Sequence, residues 1–212
     1  MPMKSDREYR NMVMEIRKAE EAEPDTMIVR GYASTFNEPY TLYEDENWRF
    51  NEVVDADAFA NTDMSDVIMQ YDHEGRVFAR ISNNTLTVTP DERGLLIEAD
   101  LGGTELGRQL YEEIKGGYTN KMSFGFTVEA DEVEDSKSED GKALTTRTIK
   151  SVRRLYDVSA VSLPANDATS ISVRSLTDGE IGRIQAERLE AEKLELRRRK
   201  IKAKAELLGG QK

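Results

Sequence analysis

"KMSFGFTVEA", residues 121–130, reads as a β-strand. Aromatic and β-branched residues crowd it, and Met122, Phe124, Phe126 and Val128 alternate with Ser123, Gly125 and Thr127 at a period of two. Downstream, "DEVEDSKSEDGK" (131–142) is acidic and has no apolar period, which predicts an exposed, mobile loop. "TRTIKSVRRLYDVSAVSLPA" (146–165) then supplies one or two further strands. Upstream, "GTELGRQLYEEIKGG" (103–117) predicts a helix with Leu106, Leu110 and Ile114 on one face and glycines as a stop. "TLTVTPDERGLLIEADL" (85–101) predicts a hairpin: Leu86 and Val88 alternate, a turn follows, and Leu95, Ile97 and Ala99 alternate back. "VIMQYDH" (67–73) is a buried-strand run ending at His73. "NEVVDADAFAN" (51–61) begins extended, and its continuation, "DADAFANTDMSD" (55–66), predicts a short acid-capped helix. "MIVRGYASTFN" (27–37) is strand-like, and residues 1–23 fit a short strand or helix. The expectation is a β-rich α+β body, mainly antiparallel and barrel-like, with at least six strands and two helices over 24–176.

The remainder divides into an N-terminal extension, 1–23, and a charged helical extension, 177–212. Residues 1–179 hold 20 basic and 35 acidic residues, a net −15, whereas residues 180–212 hold 10 and 6, a net +4. The last segment is rich in helix formers, acidic early and basic late, as a helix dipole favours. Its apolar residues, among them Ile184, Leu189, Leu196 and Ile201, keep no strict heptad. An acidic body repels phosphate, which argues against nonspecific nucleic-acid binding, and the basic tail could dock on an acidic protein surface or touch nucleic acid.

The chain has no cysteine, so thiol nucleophiles, disulfides and Cys-ligated zinc are excluded. His73 is the single histidine, which removes multi-His metal sites; an all-carboxylate Ca or Mg site stays open but no EF-hand loop is visible, and the expectation is no cofactor and no metal. No stretch approaches the roughly 18 apolar residues of a membrane span. A soluble protein of a reducing or cytoplasmic setting fits this composition.

A histidine at the end of an apolar strand suits proton transfer near neutral pH. Without cysteine, its nucleophile would be Ser, Thr or water. Ser123 lies among Met122, Phe124 and Phe126, where a buried hydroxyl needs a partner. Asp157 lies among Leu155, Val158 and Val161, where a carboxylate needs one too. Strand alternation puts Asp157 on a face with Leu155 and Ser159. Alternatives stay open at this point: Lys121 as a partner of Ser123, Asp72 or Glu74 as partners of His73, and Lys150, Arg153 or Arg154 as simple ion-pair partners of Asp157. No G-x-S-x-G elbow and no H-E-x-x-H pair is present.

From "VRGYASTFN" through "FNEVVDADAF", "VIMQYDHEGRVFARI", the Leu-containing helix and "GYTNKMSFGFTV" to "LYDVSAVSLPANDATSISVRS", about residues 29–175, the chain resembles the prohead (head-maturation) proteases of tailed bacteriophages. That group is related in fold to herpesvirus assembly proteases. The resemblance implies a serine endopeptidase with Ser123 as nucleophile and His73 as base. Asp157 stands where the family often has an acid and the herpesvirus relatives a second histidine. It also implies action inside the assembling procapsid, on the scaffolding segment of the major capsid protein and on the protease itself, in a homo-oligomeric setting. Residues 163–166 are the expected oxyanion-binding loop. Removal of the 177–212 tail by the enzyme and a plain solvated terminal helix are equally compatible with the sequence. The competing readings are a non-enzymatic assembly factor of the same fold and, more weakly, a nucleic-acid-associated β-domain.

Overall fold

The computed structural model describes residues 7–12, 17–18 and 26–162, together with Ala186, Glu190, Lys193, Leu194, Arg197 and Arg198, which are helical. The chain divides into two compact units, residues 1–170 and 171–212. In the first unit the strands are β1 (Glu8–Met12), β2 (Arg17–Lys18), β3 (Ile28–Thr35), β4 (Tyr40–Glu44), β5 (Trp48–Val54), β6 (Ile68–Tyr71), β7 (Glu74–Arg80), β8 (Leu86–Pro90) and β9 (Gly94–Asp100). Helix α1 (Glu105–Lys115) follows, then β10 (Lys121–Lys137) and β11 (Ala143–Val161).

A seven-stranded sheet runs β1-β10-β11-β5-β4, with β6 also paired to β11 and β7 paired to β6. A four-stranded sheet runs β2-β3-β9-β8. Most pairs are antiparallel, but β11 pairs in parallel with β5 over residues 143–149 and with β6 over 157–160. The β-rich α+β class holds, with mixed rather than purely antiparallel pairing. The described residues form two sheets and no closed barrel. One hydrophobic core takes side chains from both sheets, including Val29, Leu95 and Ile97 from one and Met69, Phe124, Phe126 and Val158 from the other.

The hairpin of β8 and β9 forms as expected, with Leu86 opposite Ala99 and Pro90 opposite Leu95. Helix α1 also forms; the Thr104 hydroxyl caps it by accepting from the Gly107 N–H at 3.0 Å. Its buried stripe is Gly107, Leu110, Tyr111 and Ile114, while Leu106 is exposed, so the core-facing face is rotated from the one the leucine spacing suggested.

Two expectations fail for one reason: the long β11 needs backbone partners on both edges. Residues 55–66 form successive four-residue β-turns, not a helix, with Ala58, Ala60 and Thr62 N–H groups donating to the Asp55, Asp57 and Phe59 carbonyls. The segment spans the gap between β5 and β6 along β11. There the Ala58 and Asp63 carbonyls accept from the Val152 and Leu155 N–H groups at 2.8 and 3.1 Å, and the Asp63 N–H donates to the Arg153 carbonyl at 3.0 Å. A regular helix would consume such carbonyls internally. The acidic stretch 131–142 is likewise no loop: pairing continues to Lys137 opposite Ala143, and a tight turn closed by the Ser138 N–H donating to the Lys142 carbonyl joins the strands. Its side chains are mostly solvent-facing, so the strand needs no apolar period. Outside the described residues fall the oxyanion-loop expectation at 163–166 and most of the expected C-terminal helix.

Phe124 is fully buried and stacks on Phe126 with ring centroids 4.6 Å apart. Phe124→Ala should therefore cost about 3–5 kcal/mol in denaturant unfolding. Val133→Ala, on the exposed polar arm, should change stability by less than about 0.5 kcal/mol.

Candidate active site

Strands β10, β11 and β6 lie side by side and bring three chemistry-bearing residues to one place. The β10–β11 register sets Ser123 opposite Ser159 and Gly125 opposite Asp157. Between Gly125 and Phe126 the register shifts by one residue on β11, a bulge that adds Tyr156. This bulge corrects the face assignment read from simple alternation: Leu155 joins Val158 in the hydrophobic core, whereas Asp157 turns with Ser159 toward His73.

His73 enters from beyond β6. Tyr71 pairs with Glu74, leaving a two-residue turn of Asp72 and His73 whose φ values are +49° and +60°. Both residues are left-handed at a position where Asn-Gly would be the relaxed choice, at a cost of roughly 1–2 kcal/mol each. Asp72 holds the turn in place. Its N–H donates to the Ala160 carbonyl at 3.0 Å, and its carboxylate accepts from the Ser162 N–H and hydroxyl at 2.9 and 2.8 Å.

Both imidazole nitrogens are engaged. His73 Nδ1 is 2.5 Å from Asp157 Oδ2, and Nε2 is 2.5 Å from Ser123 Oγ. Ser123 and Asp157 are completely buried. Ser159, which the sequence reading placed beside Asp157 without a role, donates to Asp157 Oδ2 at 3.1 Å, and its oxygen lies 3.2 Å from His73 Nδ1. Three of the alternatives left open are otherwise occupied: Asp72 binds Ser162, Lys150 pairs with Asp55 and Arg154 with Asp63. The hydroxyl partners of Ser123 are His73 and the Arg10 carbonyl oxygen, not Lys121.

The N-terminal strand completes the site. β1 pairs antiparallel with β10, with Tyr9 opposite Gly125 and Asn11 opposite Ser123. The Tyr9 ring meets the His73 ring edge-on at 4.5 Å. Arg7 forms an ion pair with Asp157 Oδ1 and covers the Tyr156 ring at 4.6 Å. A Cβ on Gly125 would run into Asp157 Oδ1 and come within 2.8 Å of the Tyr9 ring, so this strand position has no room for a side chain. On the opposite face of β1, Arg10 is buried against Glu52, with Nη2 2.9 Å from Oε2. Arg147 binds Glu8 and Glu52 at 2.8 and 2.9 Å and Asp131 at 2.7 Å, and the Tyr40 hydroxyl donates to Glu52 at 2.5 Å. No periodicity in the sequence marks Arg7, Tyr9, Arg10 or Glu52 as site residues.

Burial, and after it the Arg7 guanidinium, push the His73 imidazole down to about 4, against the opposing charge of Asp72. At neutral pH the ring is therefore neutral. An Nδ1–H donated to Asp157 leaves Nε2 as the acceptor for a hydroxyl proton. The arrangement can withdraw the Ser123 proton and offset the resulting imidazolium with the Asp157 carboxylate. Among the described residues no group of three or more His, Asp or Glu is arranged to hold a metal ion, and no helix is long and apolar enough to cross a membrane.

A hydroxyl, an imidazole and a carboxylate in continuous contact are the groups that serine hydrolases in general combine. Residues 13–182 match the family model of the caudovirus prohead serine protease, and the chain belongs to that family of serine peptidases of phage head maturation. No curated protein and no solved structure matches it.

With one histidine in the chain, its Cε1–H resonance reports on this site alone. Arg7→Ala removes a nearby positive charge, so the titration midpoint should move up from about 4 toward the ordinary 6.5. An NMR pH titration of the two proteins measures the shift.

Proposed function

We propose that the chain is an endopeptidase of the assembling procapsid, in which Ser123 attacks the scissile carbonyl, His73 is the general base and Asp157 orients and stabilises the imidazole. The observation that carries this reading is the engagement of both imidazole nitrogens, Nδ1 by Asp157 and Nε2 by Ser123. As Ser123 Oγ bonds to the carbonyl carbon, its proton passes to Nε2. The imidazolium then gives that proton to the departing amine, and a water molecule, deprotonated by the same nitrogen, hydrolyses the acyl-serine. Asp157 stays ionised throughout, with Ser159 fixing its Oδ2.

The proposed substrates are the scaffolding segment of the major capsid protein and the protease itself, within the procapsid. The proposed organisation is an extension at 1–23, a protease domain at 24–176 and a charged helical extension at 177–212 that retains the enzyme in the procapsid before being trimmed. An acidic body carrying a basic tail suits docking on protein more than on nucleic acid.

Purified protein should shorten itself and cleave capsid-protein precursor, followed by intact-mass spectrometry. Ser123→Ala and His73→Ala should each lower the rate by about 10⁴-fold or more, and Asp157→Asn by about 10²–10⁴-fold. Equal processing by wild type and Ser123→Ala would overturn the nucleophile. A wild type that leaves every precursor intact would favour the non-enzymatic assembly factor.

A further inference from the structure

We infer that β1 lies in the cleft as a bound substrate would, and that Glu52 is the specificity-determining residue for an arginine or lysine immediately before the scissile bond. The inference rests on the proposed roles of Ser123 and His73. Its first support is placement. The Arg10 carbonyl oxygen accepts from the Ser123 hydroxyl at 2.9 Å, so the Arg10–Asn11 peptide is the one that lies beside the proposed nucleophile. The strand is extended and hydrogen-bonded to the edge of β10, the arrangement in which a cleft reads a peptide by its main chain and leaves alternate side chains to pockets. β1 also precedes residues 13–182, the span matched to the family.

The second support is the chemistry of the pocket. Counted back from that peptide, Arg10 is the side chain before the bond, Tyr9 the next and Glu8 the third. Tyr9 lies on the imidazole, and Arg10 turns to the opposite face, where its guanidinium binds Glu52 through Nε and Nη2. β1 brings Glu8 as well as Arg10 to this cavity, so with β1 removed Glu52 keeps Arg147 and the Tyr40 hydroxyl and loses the Arg10 guanidinium. Glu52 is wholly buried and Arg10 nearly so. A neutral or acidic side chain would leave that carboxylate underpaired in a dry environment, which is the basis of discrimination. Hydrolysis there forms the Ser123 Oγ–carbon bond and breaks the bond between the basic residue's carbonyl carbon and the next nitrogen. Nε2 returns its proton to that amine, and water then releases the carboxylate product.

The test uses the full-length chain and a fluorogenic peptide of residues 7–12, Arg-Glu-Tyr-Arg-Asn-Met, together with versions carrying lysine, leucine or glutamate in place of the second arginine. Arginine and lysine peptides should be cut after the basic residue, with kcat/KM at least about a hundredfold above the leucine peptide and no detectable cutting of the glutamate peptide. Glu52→Gln should lower the arginine-to-leucine ratio at least about tenfold. If that variant does not fold, the wild-type panel alone decides. Equal cutting of the arginine and leucine peptides, cutting at another bond, or an unchanged ratio in a folded Glu52→Gln overturns the inference. Labelling by an aryl fluorophosphonate, with Ser123→Ala as control, separates the two levels. A protein labelled at Ser123 that cuts no peptide of the panel sinks the pocket and keeps the serine hydrolase, whereas absence of labelling, of peptide cutting and of self-cleavage after Arg10 by intact mass sinks both.

Discussion

The pairing of β10 with β11 is the constraint on which the molecule depends. It is the longest ladder in the described chain, from Lys121 opposite Val161 to Lys137 opposite Ala143. Its inner face supplies Phe124, Phe126, Val128, Val152, Leu155 and Val158 to the core, and its other face carries Ser123, Asp157 and Ser159. Position along this ladder is therefore position in the site. A slip of one residue would turn Ser123 into the hydrophobic core and bring an aromatic ring to the imidazole. The bulge at Tyr156 is part of that specification, since without it Asp157 and Leu155 would share a face.

The second determinant is a buried set of charges. Arg147 and Glu52 come from β11 and β5, whereas Glu8 and Arg10 come from β1. Burial disfavours the Arg147 charge, and the carboxylates of Glu8, Glu52 and Asp131 outweigh that penalty. Such a network adds little net stability over an apolar filling, but removing a single partner costs about 3–5 kcal/mol because it strands a charge. It therefore acts as a register pin. Only one alignment of β1 on β10 puts Glu8 and Arg10 where their partners wait, and that alignment brings the Arg10 carbonyl to Ser123.

Much of this was legible in the sequence. Period-two alternation located the 121–130 strand and the 85–101 hairpin, and the apolar spacing with glycines as a stop located the helix. His73, Ser123 and Asp157 could be singled out because each is polar within an apolar run, and the structure brings all three into contact. What stayed hidden depends on partners distant in the chain. The turns at 55–66 exist because β11 lacks a neighbour there, and the acidic arm 131–137 is a strand because β11 continues beside it. Tyr9 and Arg10 lie in an ordinary charged N-terminal stretch, and nothing local tells that they face residues about 60 and 40 positions away. Asp72 misleads in the other direction: as the imidazole's neighbour it invites a role in proton transfer, whereas its carboxylate is spent on Ser162.

That last contact has a mechanical meaning. Asp72 grips both the amide and the hydroxyl of Ser162, immediately beyond the end of β11, and the next residue along from Asp72 is His73. The imidazole is thus mounted on a short lever whose other arm is Ser162, at the end of β11. The placement of the histidine is in this way tied to the point at which β11 ends.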